Sequence, residues 1–391
     1  MRVLVATTAG LGHFGPLLPF AAACRRAGHD VLVAAPASFA PEVERARFAH
    51  RPFADVAPEE WGAVMSRLPD LGYEESEKLV LAEVFAGANV RAALPGVLSA
   101  VEEWSPHVVL RETAELASHL AAERFGVPEV RVAVALGLVE GFALDVFAEA
   151  LVPVRAELGL DGDAADRLRA ARSWTLVPPS FEYPDSARVG ADRYRGGDDD
   201  GPPTPLPPWW AEDLSDLPLV YVTFGTVATT VPAFGAVLPV AVRAVADLPV
   251  RVLVTVGQSG NPEVLAGLPA NVHVERWVAQ AEVLPHASAV VCHGGFGSVM
   301  GPLKAGVPLV VVPQFADQPY NAARVAAVGA GVALPLGPPD PGAVREAVNM
   351  LLGEPRYLAG AAALAEEIRG LPPVDEAVSL LDSLSGNAER P

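Results

Sequence analysis

The chain has 391 residues, enough for two domains of the usual size of about 100–200 residues. Hydrophobic residues make up 51% and charged residues 19%, which permits a sizeable core. The 28 basic residues against 47 acidic ones give a formal charge of −19, which repels nucleic acid and anionic membrane surfaces, so neither is expected as a partner.

The opening MRVLVATTAG carries one basic residue and a short apolar run, and reads as a first strand rather than a leader. No run approaches about 18 uninterrupted apolar residues, so no spanning helix is expected and a cytoplasmic location is. Cys24 in a helix and Cys292 in a strand read as small buried residues rather than a disulfide, in a reducing compartment.

The pattern predicts a strand over 2–7, a turn over 9–15, a helix opened by Pro16 over 16–27, and a second strand over 30–35. Gly10, Gly12 and Gly15 match G-x-G-x-x-G. The second strand ends Val33-Ala34-Ala35-Pro36, without the carboxylate that would hold an adenosine ribose, which speaks against a dinucleotide. His13 lies in the turn, at the end of the sheet where a ligand would arrive; position alone leaves a structural and a functional role equally open. Residues 55–90 and 135–170 are less regular, with Trp61, Phe85 and Phe142 among their bulky residues, a stripe more often core than site.

A strand over 107–110 leads into Arg111-Glu112-Thr113, and others are expected over 174–179 and 187–190. The stretch from Arg195 to Pro205, dense in Gly, Pro and Asp, reads as a linker, and its aspartates as a solvated run rather than metal ligands. The expected division is a domain over 1–200, a linker over 201–217, a second domain over 218–372 and a last segment over 373–391. Trp209 and Trp210 would anchor the start of the second domain, which restarts a βαβ pattern at 219–226 and 251–256. Gly225 and Thr226 then stand at a strand's carboxyl end as candidate contacts to a pyrophosphate.

Residues 289–321 form a strand, turn, helix, strand unit. At His293-Gly294-Gly295-Phe296-Gly297-Ser298 the glycines let the backbone approach a ligand, and the unpaired N–H groups of the following helix suit an anion. His293 and the Ser298 hydroxyl add donors. A glycine-rich packing turn would look the same; the next strand, ending in Asp317 and Gln318, tips the balance, because its polar residues lie where parallel sheets bind ligands and suit sugar hydroxyls.

From Glu275 to Gly331, ERWVAQAEVLPHASAVVCHGGFGSVMGPLKAGVPLVVVPQFADQPYNAARVAAVGAG resembles the donor-binding signature of family-one nucleotide-sugar glycosyltransferases, in particular the bacterial enzymes that decorate secondary metabolites. The resemblance is specific there and extends in outline over the chain. It implies an α/β GT-B fold, two facing Rossmann-like domains with a deep cleft, and inverting, metal-independent transfer of a sugar from a nucleotide diphosphate to a small apolar aglycone. It also implies that Trp277 stacks on the donor base, that Val278 and Gln280 line the donor site, and that His293 and the amides of Gly295 to Ser298 hold the diphosphate. GLGHFGP is similar to the loop carrying the family's catalytic histidine, which makes His13 the general base. The family's partner carboxylate is an aspartate; the matching position here is Glu112, one methylene longer, with Glu115 as the alternative and an acidic helix cap as the bland role for Glu112. Gly12, Phe14, Trp61, Phe85 and Phe142 would shape the acceptor site, and the last helix would cross back to the first domain. UDP-glucose users of the family carry a glutamate where this chain has Gly301, which favours TDP over UDP as carrier.

The rivals are a UDP-sugar transferase of the same fold, a lipid-modifying transferase, a dehydrogenase and a catalytically silent sugar-nucleotide binder. No resident cofactor is expected, and a homodimer is left open.

Overall fold

The computed structural model describes residues 1–186, 190–197, 217–225, 236–257 and 260–386. Thr226, Trp209, Trp210, most of the expected linker and most of the expected strand over 187–190 lie outside them. The chain forms two compact units, one of Met1–Leu176, Tyr183–Asp200 and Leu371–Pro391, the other of Val177–Glu182 and Gly201–Gly370.

In the first unit, β1 (Arg2–Ala6), β2 (Asp30–Pro36), β3 (Ala49–Phe53), β4 (Val108–Glu112), β5 (Glu129–Val132), β6 (Arg172–Thr175) and β7 (Asp192–Arg193) form a parallel sheet in the order 3-2-1-4-5-6-7 among the described residues. RVLVA in β1 is buried on both faces, as in a sheet covered on both sides. Its side chains alternate: Val3 and Val5 meet Phe14, Phe20 and the last helix, while Leu4 and Ala6 meet Val97, Val101 and Ala121. The last helix, Val374–Gly386, buries Val374, Ala377, Val378 and Leu381 in the first unit's core, and Asp375 accepts a bidentate pair from Arg26 at 2.9 and 3.0 Å.

Two expectations are corrected here. The first helix runs over Leu11–Arg26 and so begins five residues before Pro16, taking His13 out of a loop and into a helical first turn. Proline at 16 costs the bond its missing N–H would make to the Gly12 carbonyl, and the helix continues because its buried side chains, Phe14, Leu17 and Phe20, pack into the core. Residues 55–90 are largely helical, as Pro58–Met65, Tyr73–Leu79 and a π-helical stretch over Val80–Asn89 that runs on into Val90–Trp104. An i→i+5 stretch shifts the side-chain period, so a 3.6-residue stripe does not show in the sequence. The run Tyr73–Trp104 is long and apolar enough to cross a membrane by length and composition, but Ala93, Val97 and Val101 pack onto the sheet.

The second unit repeats the plan with β8 (Leu219–Thr223), β9 (Arg251–Thr255), β10 (Val272–Glu275), β11 (Ala287–Cys292), β12 (Leu309–Val311) and β13 (Gly331–Ala333), all parallel, in the order 10-9-8-11-12-13. Valines of β8, β9, β11 and β12 share its core with the helices Val237–Ala246 and Pro341–Gly353. Cys24 and Cys292 are buried free thiols, and burial pushes both up to about 12.

Candidate active site

In parallel sheets the loops at the strands' carboxyl ends gather on one edge, and both units place their polar clusters there. In the first unit β1 and β4 are neighbours, so the residues that follow them converge. Glu112, the last residue of β4, is fully buried. Its Oε1 accepts from Thr8 N at 3.3 Å and Thr8 Oγ1 at 2.9 Å, and its Oε2 from Ala114 N at 2.5 Å. His13 Nδ1 lies 3.2 Å from the same Oε2. Burial pushes the Glu112 carboxyl up, but the facing imidazole, the His13 hydrogen bond and the donors from Ala114 and Thr8 outweigh it and leave it below the ordinary carboxylate value.

Glu115, the alternative partner, is turned elsewhere. Its oxygens accept from Ala117 N at 3.2 Å and from Ser118 N at 3.0 Å, and also bind the Ser118 hydroxyl, which ties it to the start of the helix Ala117–Phe125. Burial pushes its carboxyl up to about 7. Beneath the pair, the buried Arg111 bonds Glu129 at 2.8 Å and donates to the carbonyls of Glu112 and Thr113 at 3.2 and 3.3 Å. His119 closes on the other oxygen of Glu129 at 2.7 Å.

A cavity of about 320 Å³ opens beside these residues, lined by Thr8, Phe53, Asp55, Trp61, Phe85 and Glu115 among others. The Phe85 ring centroid is 5.3 Å from that of His13. Gly12 is exposed on the helix's first turn, and Trp61, 48% exposed, belongs to the cavity wall. Of the expected acceptor residues, Gly12, Phe14 and Phe142 are not among the cavity's lining residues. Phe14 is fully buried and packs edge-on against Phe39 in the core, because one residue along the helix turns its side chain about 100° from that of His13, to the sheet-facing side. Phe142 is 44% exposed on the helix Gly137–Ala150.

In the second unit β8 and β11 are neighbours, and the residues after them meet. Gly294 takes φ 90° and a Cβ there would come 2.5 Å from Val311 Cγ1, so only glycine turns the chain from β11 into the helix Phe296–Ala305. The His293 ring fills the space beside two further glycines: a Cβ on Gly295 would come 2.5 Å from its Nε2, and one on Gly225 2.9 Å from its Cε1. Burial pushes His293 down to about 4 despite the Thr223 carbonyl, so the ring is neutral at neutral pH. Its Nδ1 is buried with no hydrogen-bond partner among the described residues. Gly295 caps the helix, Gly297 is exposed, and the Phe296 ring and Ser298 are buried, which leaves Phe296 its backbone amide for any ligand. That first turn leaves N–H groups without intrahelical partners.

Trp277, just beyond β10, is 44% exposed, whereas Val278 is buried. Gln280 begins a short helix, and its Oε1 stands 3.2 Å from where a Cβ on Gly301 would be, bringing this segment against the helix Phe296–Ala305. Asp317 accepts from Asn321 Nδ2 at 2.6 Å. Gln318 departs from the expected sugar-facing role: it is buried, and its Oε1 accepts from Gln314 N at 2.8 Å and Phe315 N at 3.2 Å, closing the loop after β12.

Sequence reasoning missed Thr8 and Asn321. Thr8 follows β1 directly, and a hydroxyl at a strand's carboxyl end was a usable signal. Asn321 stands one helical turn after Asp317 and donates to the Gly294 carbonyl at 2.8 Å, a link across the fold that spacing does not announce.

Residues 240–384 match the family model described as erythromycin biosynthesis protein CIII-like, C-terminal domain. The chain is 33% identical over 376 residues to the L-demethylnoviosyl transferase of Streptomyces niveus, covering 94% of each. It is 32% identical over 423 residues to the 4'-demethylrebeccamycin synthase of Lentzea aerocolonigenes, covering 98% of this chain and 99% of the relative. Among solved structures, the spinosyn rhamnosyltransferase SpnG complexed with thymidine diphosphate superposes with a TM-score of 0.80 at 26% identity, over 98% of this chain and 100% of that one.

Proposed function

The chain belongs to the glycosyltransferases of antibiotic and natural-product biosynthesis, with the GT-B fold, and from that premise we propose that it moves a deoxysugar from a TDP carrier to a hydroxyl of a small apolar aglycone, with inversion and without a metal. The observation that carries the reading is the contact of His13 with the buried Glu112 beside an apolar cavity.

With Nδ1 facing Glu112, the neutral ring directs Nδ1–H towards the carboxylate and Nε2 to the acceptor. Nε2 takes the hydroxyl proton as the acceptor oxygen bonds to the anomeric carbon, from the face opposite the carrier. The carbon–oxygen bond to the diphosphate breaks, and the nucleotide leaves with that electron pair. Glu112 stabilises the imidazolium without itself becoming protonated. Because His293 is neutral, its contribution at the diphosphate is a hydrogen bond, and the positive end of the helix Phe296–Ala305 meets the departing charge. Trp277 offers an exposed indole face to the base. The TDP assignment is supported by Gly301 and by the thymidine diphosphate bound to SpnG.

Thermal shifts with TDP and UDP test the carrier, since a ligand that binds only the native state raises the melting temperature. A larger shift with TDP is expected; equal shifts remove the TDP assignment. A sugar-transfer assay on the wild type and His13→Ala separates an enzyme from a silent binder, because a binder shows no transfer in either.

A further inference from the structure

The cavity of the first unit is apolar over most of its wall, and its charged lining residues among those described are Asp55 and Glu115, both acidic, with no lysine or arginine. The two carboxylates occupy opposite parts of the sheet edge. Glu115 follows β4, beside the residues that hold His13, whereas Asp55 stands two residues past the end of β3. In the order 3-2-1-4, β3 is two strands from β1, and a strand spacing of about 4.8 Å puts roughly 10 Å between Asp55's end and the Thr8 end of the cavity.

Asp55 is held in place rather than swinging freely. Its Oδ2 accepts from Ser38 N at 3.0 Å, and Oδ1 accepts from the Ser38 hydroxyl. Each carboxylate oxygen keeps a further lone pair for a ligand. The same wall carries aromatic rings, Phe53, Trp61 and Phe85, and the indole of Trp61 is 48% exposed. An anchored carboxylate with open aromatic faces around it suits a cationic nitrogen, which both attract.

Resting on the acceptor reading above, we propose that this cavity selects an apolar acceptor bearing a cationic amine about 10 Å from the hydroxyl that receives the sugar, with the amine at Asp55 against the aromatic wall. The same arrangement disfavours an acceptor with a carboxylate at that end, which would meet Asp55 with no basic side chain among the described lining residues to offset it.

The test uses the whole chain and three para,para-disubstituted biphenyls, each with a phenol hydroxyl at one end and an aminomethyl, hydroxymethyl or carboxylate group at the other. Dissociation constants are measured by calorimetry for the wild type and Asp55→Asn. In the wild type the amine is expected to bind about tenfold more tightly than the neutral alcohol, and the carboxylate about tenfold more weakly. Asp55→Asn is expected to erase the amine's advantage. Equal affinities in the wild type, or an advantage that survives Asp55→Asn, overturn the inference and leave the acceptor cavity standing. If none of the three binds, the acceptor reading falls with it.

Discussion

His13 Nδ1 stands 3.2 Å from Oε2 of Glu112, a carboxylate without solvent exposure that also accepts from Thr8 and Ala114. A buried carboxylate held by neighbouring donors cannot turn away from the ring, so the orientation of the imidazole is set by the fold rather than by substrate.

Removing either member should cost turnover more than binding. His13→Ala and Glu112→Gln are each expected to lower kcat by about 10²–10⁴, while the affinity for TDP, measured by calorimetry, stays within about twofold. Loss of TDP binding in step with kcat would show that the pair is structural.

Glu115 predicts a stability that falls with rising pH. Burial raises its folded value to about 7, so its contribution is full below the ordinary value of 4.5 and is lost as pH climbs through about 7. Glu115→Gln, which cannot ionise, should show a flatter melting temperature between pH 5 and 8, both values marking only about the ends of the titration. An unchanged slope would remove Glu115 as its source.

His293 acts in the opposite sense. A folded value depressed from 6.5 to about 4 gives stability that is present above 6.5 and lost as pH falls through about 4. Its ring should therefore remain neutral by NMR until about pH 4. A midpoint near 6.5 would mean that burial does not hold the ring neutral.

A methyl group at Gly295 would come 2.5 Å from His293 Nε2. Gly295→Ala is expected to displace the ring, lowering folding stability by about 1–3 kcal/mol, the usual penalty of overpacking, and to weaken TDP binding about tenfold. Unaltered affinity in calorimetry would show that the ring is not a ligand contact.

The proposed preference for TDP would have a structural obstacle to its reversal. Gln280 Oε1 stands 3.2 Å from where a side chain at 301 would begin. Gly301→Glu alone should therefore gain little UDP binding, whereas Gly301→Glu with Gln280→Ala should shift the TDP to UDP ratio towards UDP. A single variant as effective as the double one would mean that Gln280 yields freely.

The amino-acid order alone determined a good deal. The runs VLVA, LVYV and AVVC are continuously apolar because parallel strands are covered on both faces, and polar residues at or beyond the strands' carboxyl ends, His13, Glu112, His293 and Asp317, could be picked out by their chemistry. Other features arose only on folding. Phe14 and Phe85 are both expected around the acceptor, yet one is sealed in the core and the other lines the cavity, because the helical position of each decides which way its side chain faces. Gln318 looked like a sugar ligand until the loop after β12 took its carbonyl oxygen for two backbone amides. Thr8 reaches Glu112 across 104 positions of chain, and Asn321 reaches Gly294 across 27. Periodicity reports which residues are buried along one element; which polar groups pair across elements is set by the strand order 3-2-1-4 and 8-11-12, and no local pattern encodes that order.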